Sequence, residues 1–198
     1  SVDVSNSVDQ HRYKLQMEGI AEALEDKGVL DSILNGPRGS ILISMIQWAD
    51  RPQVSVPWTR IASKADALAL AARVRKLPRN EGEFTCMSRM MRFVSDKVQP
   101  QIPERATRVV MDVSGDGPDN CNAGETTEQV RDELVGAGMI INGLPIIEAG
   151  DQPAASAAAP ASADPAGVPL EPWYKEHVIG GPGAFVLRAD GYSDFGRA

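Results

Sequence analysis

The stretch Ser40-Ile41-Leu42-Ile43-Ser44-Met45-Ile46-Gln47-Trp48-Ala49 is largely apolar at both alternating sets of positions. It runs into Asp50-Arg51-Pro52, after which Gln53–Trp58 alternates apolar and polar residues. A run that is apolar on both faces is a strand with packed layers above and below it. A short turn into a second strand makes an antiparallel pair, and the alternating partner belongs at the sheet edge. On the amino side, Asp9 is placed to cap a helix reaching about Asp26, with Tyr13, Met17, Ile20, Ala21 and Leu24 on one face. A short helical turn is expected over Val29–Leu34, ended by Asn35-Gly36-Pro37. On the carboxyl side, Ser63 caps a helix to about Lys76, and a further helix is expected from about Cys86 to Val98. Ala106–Val113 reads as a strand, Thr126 or Thr127 caps a helix to about Ala137, and Gly138–Ile147 is a strand. Pro172–Val178 reads as a short helix and Ala184–Arg188 as the last strand. Strands alternating with helices make an α/β protein with a mostly parallel sheet and helices on both faces.

The 198 residues suffice for one full-sized core and are too few for two ordinary ones. Residues 151–170 hold eight Ala and four Pro, which marks a flexible insertion. The chain opens on Ser1-Val2-Asp3-Val4-Ser5, which reads as the end of a strand already under way. The natural polypeptide is therefore expected to begin earlier, and no signal-peptide pattern stands at the start. No apolar run approaches the ~18–20 residues of a membrane span. The formal charge of −7 provides no electrostatic drive toward nucleic acid or anionic lipid.

In an open α/β sheet, ligands bind at the carboxyl ends of the strands. Three loops are expected there. Asp3-Val4-Ser5-Asn6-Ser7 leaves the first strand, Gly82-Glu83-Phe84-Thr85 precedes a helix, and Gly115-Asp116-Gly117 leaves the central strand. Together Asp3, Ser5, Ser7, Thr85 and Asp116 offer two carboxylates and three hydroxyls. Such hard oxygen donors suit Mg²⁺, Ca²⁺ or Mn²⁺ and bind soft metals poorly. Alternate side chains of an Asp-x-Ser-x-Ser loop project the same way, so one loop supplies a charge and two hydroxyls to one point. Two carboxylates neutralise a divalent ion and leave a coordination position for a carboxylate from another molecule.

The order Asp3-x-Ser5-x-Ser7, Thr85, Asp116 resembles the metal-ion-dependent adhesion site (MIDAS) of von Willebrand factor A (vWA) domains. Asp112-Val113-Ser114-Gly115-Asp116-Gly117-Pro118, Ile141-Asn142-Gly143-Leu144-Pro145-Ile146 and Val178-Ile179-Gly180-Gly181-Pro182-Gly183-Ala184-Phe185 are similar to motifs of a bacterial family, domain of unknown function 1194. The resemblance covers nearly the whole chain. It implies a Rossmann-like, mostly parallel six-stranded sheet with one antiparallel edge strand, forming a single domain over residues 1–198. It implies that Ser5, Ser7 and Thr85 contact the metal directly or nearly so, and that Asp3 and Asp116 act directly or through water. An extracytoplasmic setting, periplasmic or secreted, is also implied. The first strand is clipped against this pattern, and the closing helix expected after Phe195 is missing.

Asp112 is the rival to Asp116, but Asp116 lies past the strand's end. Asp119 reads as a solvated loop residue, and Asp9 as a helix cap. Gly180-Gly181-Pro182-Gly183 precedes a strand and is a turn rather than a phosphate loop. His11 and His177 read as surface or capping residues, and Trp48, Trp58 and Trp173 as packing residues. Cys86 follows Thr85, and Cys121 lies shortly after Asp116. If both loops meet at the metal, a disulfide would tie them together and fit an oxidising compartment. Two reduced thiols are the alternative.

The resulting expectation is a non-enzymatic, metal-dependent module that binds a protein ligand through an acidic residue, with no nucleic-acid partner. One alternative is a structural subunit of a larger envelope assembly with a vestigial metal site. Another is a Mg²⁺-dependent phosphohydrolase with Asp3 as nucleophile. That chemistry wants a second carboxylate two residues on as general acid, where Ser5 stands.

Overall fold

The computed structural model describes residues 1–121, 124–148 and 169–198. The Ala/Pro-rich insertion expected at 151–170 lies, except for its last two residues, outside them. In chain order the elements are β1 (Val2–Asp3), α1 (Gln10–Glu25), α2 (Lys27–Leu34), β2 (Ile41–Trp48), β3 (Gln53–Ile61), α3 (Lys64–Val74) and α4 (Met87–Phe93). They continue with β4 (Val109–Gly115), α5 (Thr127–Gly136), β5 (Met139–Pro145) and α6 (Leu170–His177). The helix expected to reach Val98 stays α-helical only to Phe93, then passes through a π turn over Val94–Val98 and a 3₁₀ turn over Gln99–Gln101.

The five strands lie in the order β3-β2-β1-β4-β5. All neighbours are parallel except the antiparallel β2–β3 edge pair. Side chains alternate between two cores. Val2, Val4 and Met45 pack with Tyr13, Met17, Leu24 and Leu70 from α1 and α3. Ile46, Trp48, Val113 and Ile141 pack with Met87, Met90, Met91, Leu134 and Trp173 from α4, α5 and α6. Full burial of a Met, Leu, Ile or Val side chain contributes about 1.5–3 kcal/mol, so the sheet is held from both sides.

The segment expected as a sixth strand does lie beside β5, but its pairing is interrupted. Gly143 N donates to Phe185 O (3.0 Å) and Leu187 N to Gly143 O (2.9 Å). Ala189 N donates to Pro145 O (3.0 Å) and Ile147 N to Ala189 O (3.0 Å). The rung between these pairs would need an N–H from residue 145, and proline has none. The sheet therefore has five regular strands, and two parallel bridges, Gly143 to Val186 and Ile146 to Ala189, stand where a sixth was expected.

β1 pairs with its neighbours at Val2 and Asp3. A cavity of about 540 Å³ is lined by Val2, Ile43, Met45, Val109, Met111 and Phe195 among others. None of Ser5, Ser7, Thr85 and Asp116 lines it. Among the described residues no helix is long and apolar enough to cross a membrane.

Candidate functional site

Three loops converge at the carboxyl end of β1 and β4. The first leaves β1 as soon as Val4 N has donated to Trp48 O (2.9 Å). It then folds tightly, with Val8 N donating to Ser5 O (3.0 Å) and Arg79 Nη2 clamping the carbonyls of Val4 and Ser5, each at 2.9 Å. Within it, Ser5 N donates to Asp3 Oδ1 (2.8 Å), and the Ser5 and Ser7 hydroxyls lie 3.2 Å apart. Asp9 caps α1 by accepting from Arg12 N (2.8 Å). That cap fixes the direction in which the chain leaves the loop.

The second loop is tied to the β2–β3 turn. Asp50 accepts from Glu83 N and Phe84 N, each at 2.9 Å, and these bonds hold its carboxyl below the usual carboxylate range. Gly82 sits so close to Ala49 that an added Cβ would come within 2.3 Å of the alanine methyl. Thr85 is thereby delivered at the start of α4, with Oγ1 3.4 Å from Ser5 Oγ.

The third loop follows β4. Ser7 Oγ donates to Asp116 Oδ1 (2.6 Å), and Tyr192 Oη donates to Asp116 Oδ2 (2.8 Å). Asp119, expected to be solvated, instead organises this loop. It accepts from Ser88 N (2.7 Å) at the start of α4, from Cys121 N (2.9 Å) and from Thr127 Oγ1 (3.1 Å). Its bond to the N–H two residues on is an Asx turn, which the Asp-Asn pair after Pro118 could have signalled. The sulfurs of Cys86 and Cys121 are bonded, with their Cα atoms 4.8 Å apart, so the second and third loops are covalently joined.

Asp3, Ser5, Ser7, Thr85 and Asp116 thus form one connected cluster, and all but Ser7 are buried. Asp112 is not part of it. It sits within β4 and pairs with Asn142 Nδ2 (2.9 Å). His177 stacks on Trp173 and meets Glu128. Gly180–Gly183 forms a turn in which Gly181 and Gly183 hold positive φ angles of 93° and 76°.

Arg12, Arg79, Asn120, Tyr174 and Tyr192 adjoin the cluster without having been singled out in the sequence. Tyr192 is the extreme case, since 76 residues separate it from Asp116 and no spacing pattern links them.

The electrostatics are those of crowded carboxylates out of water. Burial first, and the charge of Asp116 second, push the Asp3 carboxyl up to about 8. Asp3 Oδ2 and the Tyr174 hydroxyl are both buried with no hydrogen-bond partner among the described residues. Both lie about 3 Å from the position a Gly115 Cβ would occupy, so a side chain there would displace them. Burial also raises the Tyr174 and Tyr192 phenols well above their usual range, and the two carboxylates add to it.

A divalent ion fits this donor set. Every donor is oxygen, the one cation beside the carboxylates among the described residues is the half-exposed Arg12, 3.9 Å from Asp116, and Asp3 Oδ2 has no hydrogen-bond partner among those residues. Among the described residues no group of three or more His, Cys, Asp and Glu could hold a metal. An ion here would depend on the hydroxyls.

The same architecture is found in solved structures of vWA domains. The chain is similar over 99% of its length to proximal thread matrix protein 1 from the mussel byssus, solved with a zinc-occupied MIDAS motif, at TM-score 0.69 and 13% identity. It spans 44% of that chain, less than half its length. The SpRpn10 VWA domain matches 98% of this chain and 89% of its own, at TM-score 0.57 and 10% identity. An aerotolerance-related membrane protein from Bacteroides fragilis matches over 99% and 92%, at TM-score 0.57 and 13% identity. These likenesses define the class as a vWA-like α/β fold. The chain belongs to the family described as protein of unknown function (DUF1194), whose family model matches residues 1–198. A search of curated proteins returned no match.

Proposed function

We propose that this chain is a metal-dependent protein-binding module in which Asp3, Ser5, Ser7, Thr85 and Asp116 hold a divalent ion, Mg²⁺ or its equivalents Ca²⁺ and Mn²⁺. The observation that carries this reading is the meeting of five oxygen-bearing side chains from three distant loops, linked by contacts of 2.6–3.4 Å. The zinc-occupied MIDAS motif of the mussel protein supports a divalent ion in such a fold.

Ser5, Ser7 and Thr85 contribute neutral oxygens, and Asp3 and Asp116 contribute the charge. When bound, the ion supplies an electrophilic coordination position that an acidic side chain of a protein partner completes. The loop clamps by Arg79, Asp50 and Asp119 keep the donors in place, so little ordering is left for binding to enforce. No catalytic base or nucleophile is needed, and the residue two after Asp3 is the hydroxyl of Ser5 rather than a general acid. The Cys86–Cys121 bond supports an extracytoplasmic setting, where disulfides persist.

Thermal unfolding of the full chain in chelator and in Mg²⁺, Mn²⁺ or Ca²⁺ tests the reading. At least one ion should raise the midpoint in wild type, and the rise should vanish in Asp116→Ala. No shift with any of the three in excess overturns it.

A further inference from the structure

Two residues outside the donor set act on the same oxygen of Asp116. Tyr192 Oη donates to Oδ2 at 2.8 Å. The Arg12 guanidinium stands 3.9 Å from that oxygen and 5.4 Å from the centre of the Tyr192 ring. Arg12 is itself held, because its Nη1 donates to Ser7 O at 2.7 Å. Tyr192 is buried in a 3₁₀ turn that follows Gly191, which holds a positive φ of 85°. Ser7 bonds the other oxygen, Oδ1, so the carboxylate is gripped at both ends.

These contacts have opposite consequences for a cation. Resting on the reading of this cluster as a divalent-ion site, we propose that Tyr192 and Arg12 are an opposed pair of positioning residues that set its metal affinity. Tyr192 is a neutral donor. It fixes the plane of Asp116 and leaves the carboxylate's charge undiminished, so it favours the ion. Arg12 adds one positive charge beside Asp116 whatever the carboxylates carry, so it repels the ion. With the ion in place, the same charge makes the rim more positive and favours an acidic partner. Arg12 therefore lowers affinity for the metal and raises contrast for the partner's carboxylate.

The test uses the full chain and Mn²⁺ alone, titrated by calorimetry and by water-proton relaxation. Tyr192→Phe keeps the ring and should weaken Mn²⁺ binding by about tenfold. Arg12→Gln should tighten it by about three- to tenfold, and Arg12→Lys, which keeps the charge, should stay near wild type. A shared loss of stability would move both affinities downward, so the opposite signs separate positioning from folding. If Tyr192→Phe fails to fold, the sign of the Arg12→Gln effect still decides. Weaker or unchanged binding in Arg12→Gln, or unchanged binding in a folded Tyr192→Phe, overturns the pair. If wild type binds, Asp116→Ala does not, and the variants behave like wild type, only this inference fails. If wild type does not bind Mn²⁺, this inference fails, and the reading beneath it fails as well only when Mg²⁺ and Ca²⁺ also leave the wild-type unfolding midpoint unmoved.

Discussion

Thr85 and Asn120 hold each other twice: Thr85 N donates to Asn120 Oδ1 at 2.8 Å, and Asn120 N donates to Thr85 O at 3.0 Å. This pairing brings the loop before α4 to the loop after β4, and it sets where the Thr85 hydroxyl stands relative to Ser5. The cluster is therefore assembled by contacts between loops as much as by the strand ends that launch them.

Asn120→Ala removes the acceptor for Thr85 N and leaves one backbone donor unpaired. We expect a stability loss of about 1–3 kcal/mol in urea denaturation, together with a smaller metal-induced midpoint shift. A variant with lower stability and an unchanged metal response would show that Thr85 is held without Asn120.

Cys86 and Cys121 close a loop across 35 positions of sequence. Reduction, or the Cys86→Ser/Cys121→Ser double variant, should lower stability by about 2–4 kcal/mol, chiefly by releasing the unfolded chain. Urea midpoints with and without reductant measure this. Coincident curves for oxidised and reduced wild type would contradict it.

Gly82→Ala places a methyl 2.3 Å from the Ala49 Cβ and 3.2 Å from Asp50 N. Backbone must shift, and the loop that shifts is the one carrying Thr85. The expected result is a destabilisation of about 1–3 kcal/mol with a reduced Mg²⁺-induced thermal shift. A wild-type melting temperature and a wild-type metal response would mean that Ala49 yields instead.

Asp3 gives a pH dependence of defined sign. Its carboxyl ionises near 3.8 when unperturbed and about 8 in the fold. Between those values the folded protein keeps a proton that the unfolded chain has released, so the free energy of unfolding falls as pH rises. In chelator, the contribution of Asp3 is fully present below about pH 4 and is lost as pH rises to about 8. Asp3→Asn has no such proton and should lack the slope. Urea denaturation of both proteins across that range checks it. A wild-type-minus-variant difference that is flat or rises with pH would refute the assignment.

Much of the fold could be read locally. The carboxyl half of β2, Met45–Trp48, is buried on both faces, as its apolar run implied, whereas Ile41 is exposed and residues 42–44 are half-buried, and Asp50-Arg51-Pro52 turns into β3 as its composition demands. Asp9 and Ser63 cap α1 and α3 through their own side chains, since capping is a short-range bond between residues close in sequence. The break of the sixth strand was harder to see. It arises from Pro145 in β5, a residue that looks harmless until Leu187 is placed opposite it.

By itself, the amino-acid sequence determined the α/β layering, the antiparallel edge and the identity of the five oxygen-bearing side chains. Periodicity and capping are local properties of the chain, whereas the order of the Asp-x-Ser-x-Ser, Thr and Asp positions was legible through its resemblance to the vWA pattern. Tertiary structure alone decided that Asp119 is a loop organiser, that Arg12 and Tyr192 converge on Asp116, and that Asp3 keeps an orphaned oxygen beside Gly115 and Tyr174. Apart from the Asx turn at Asp119, those facts depend on side chains that meet from segments far apart in sequence, such as Tyr192 and Asp116, 76 positions apart, and on burial, which exists only once the chain has folded around them.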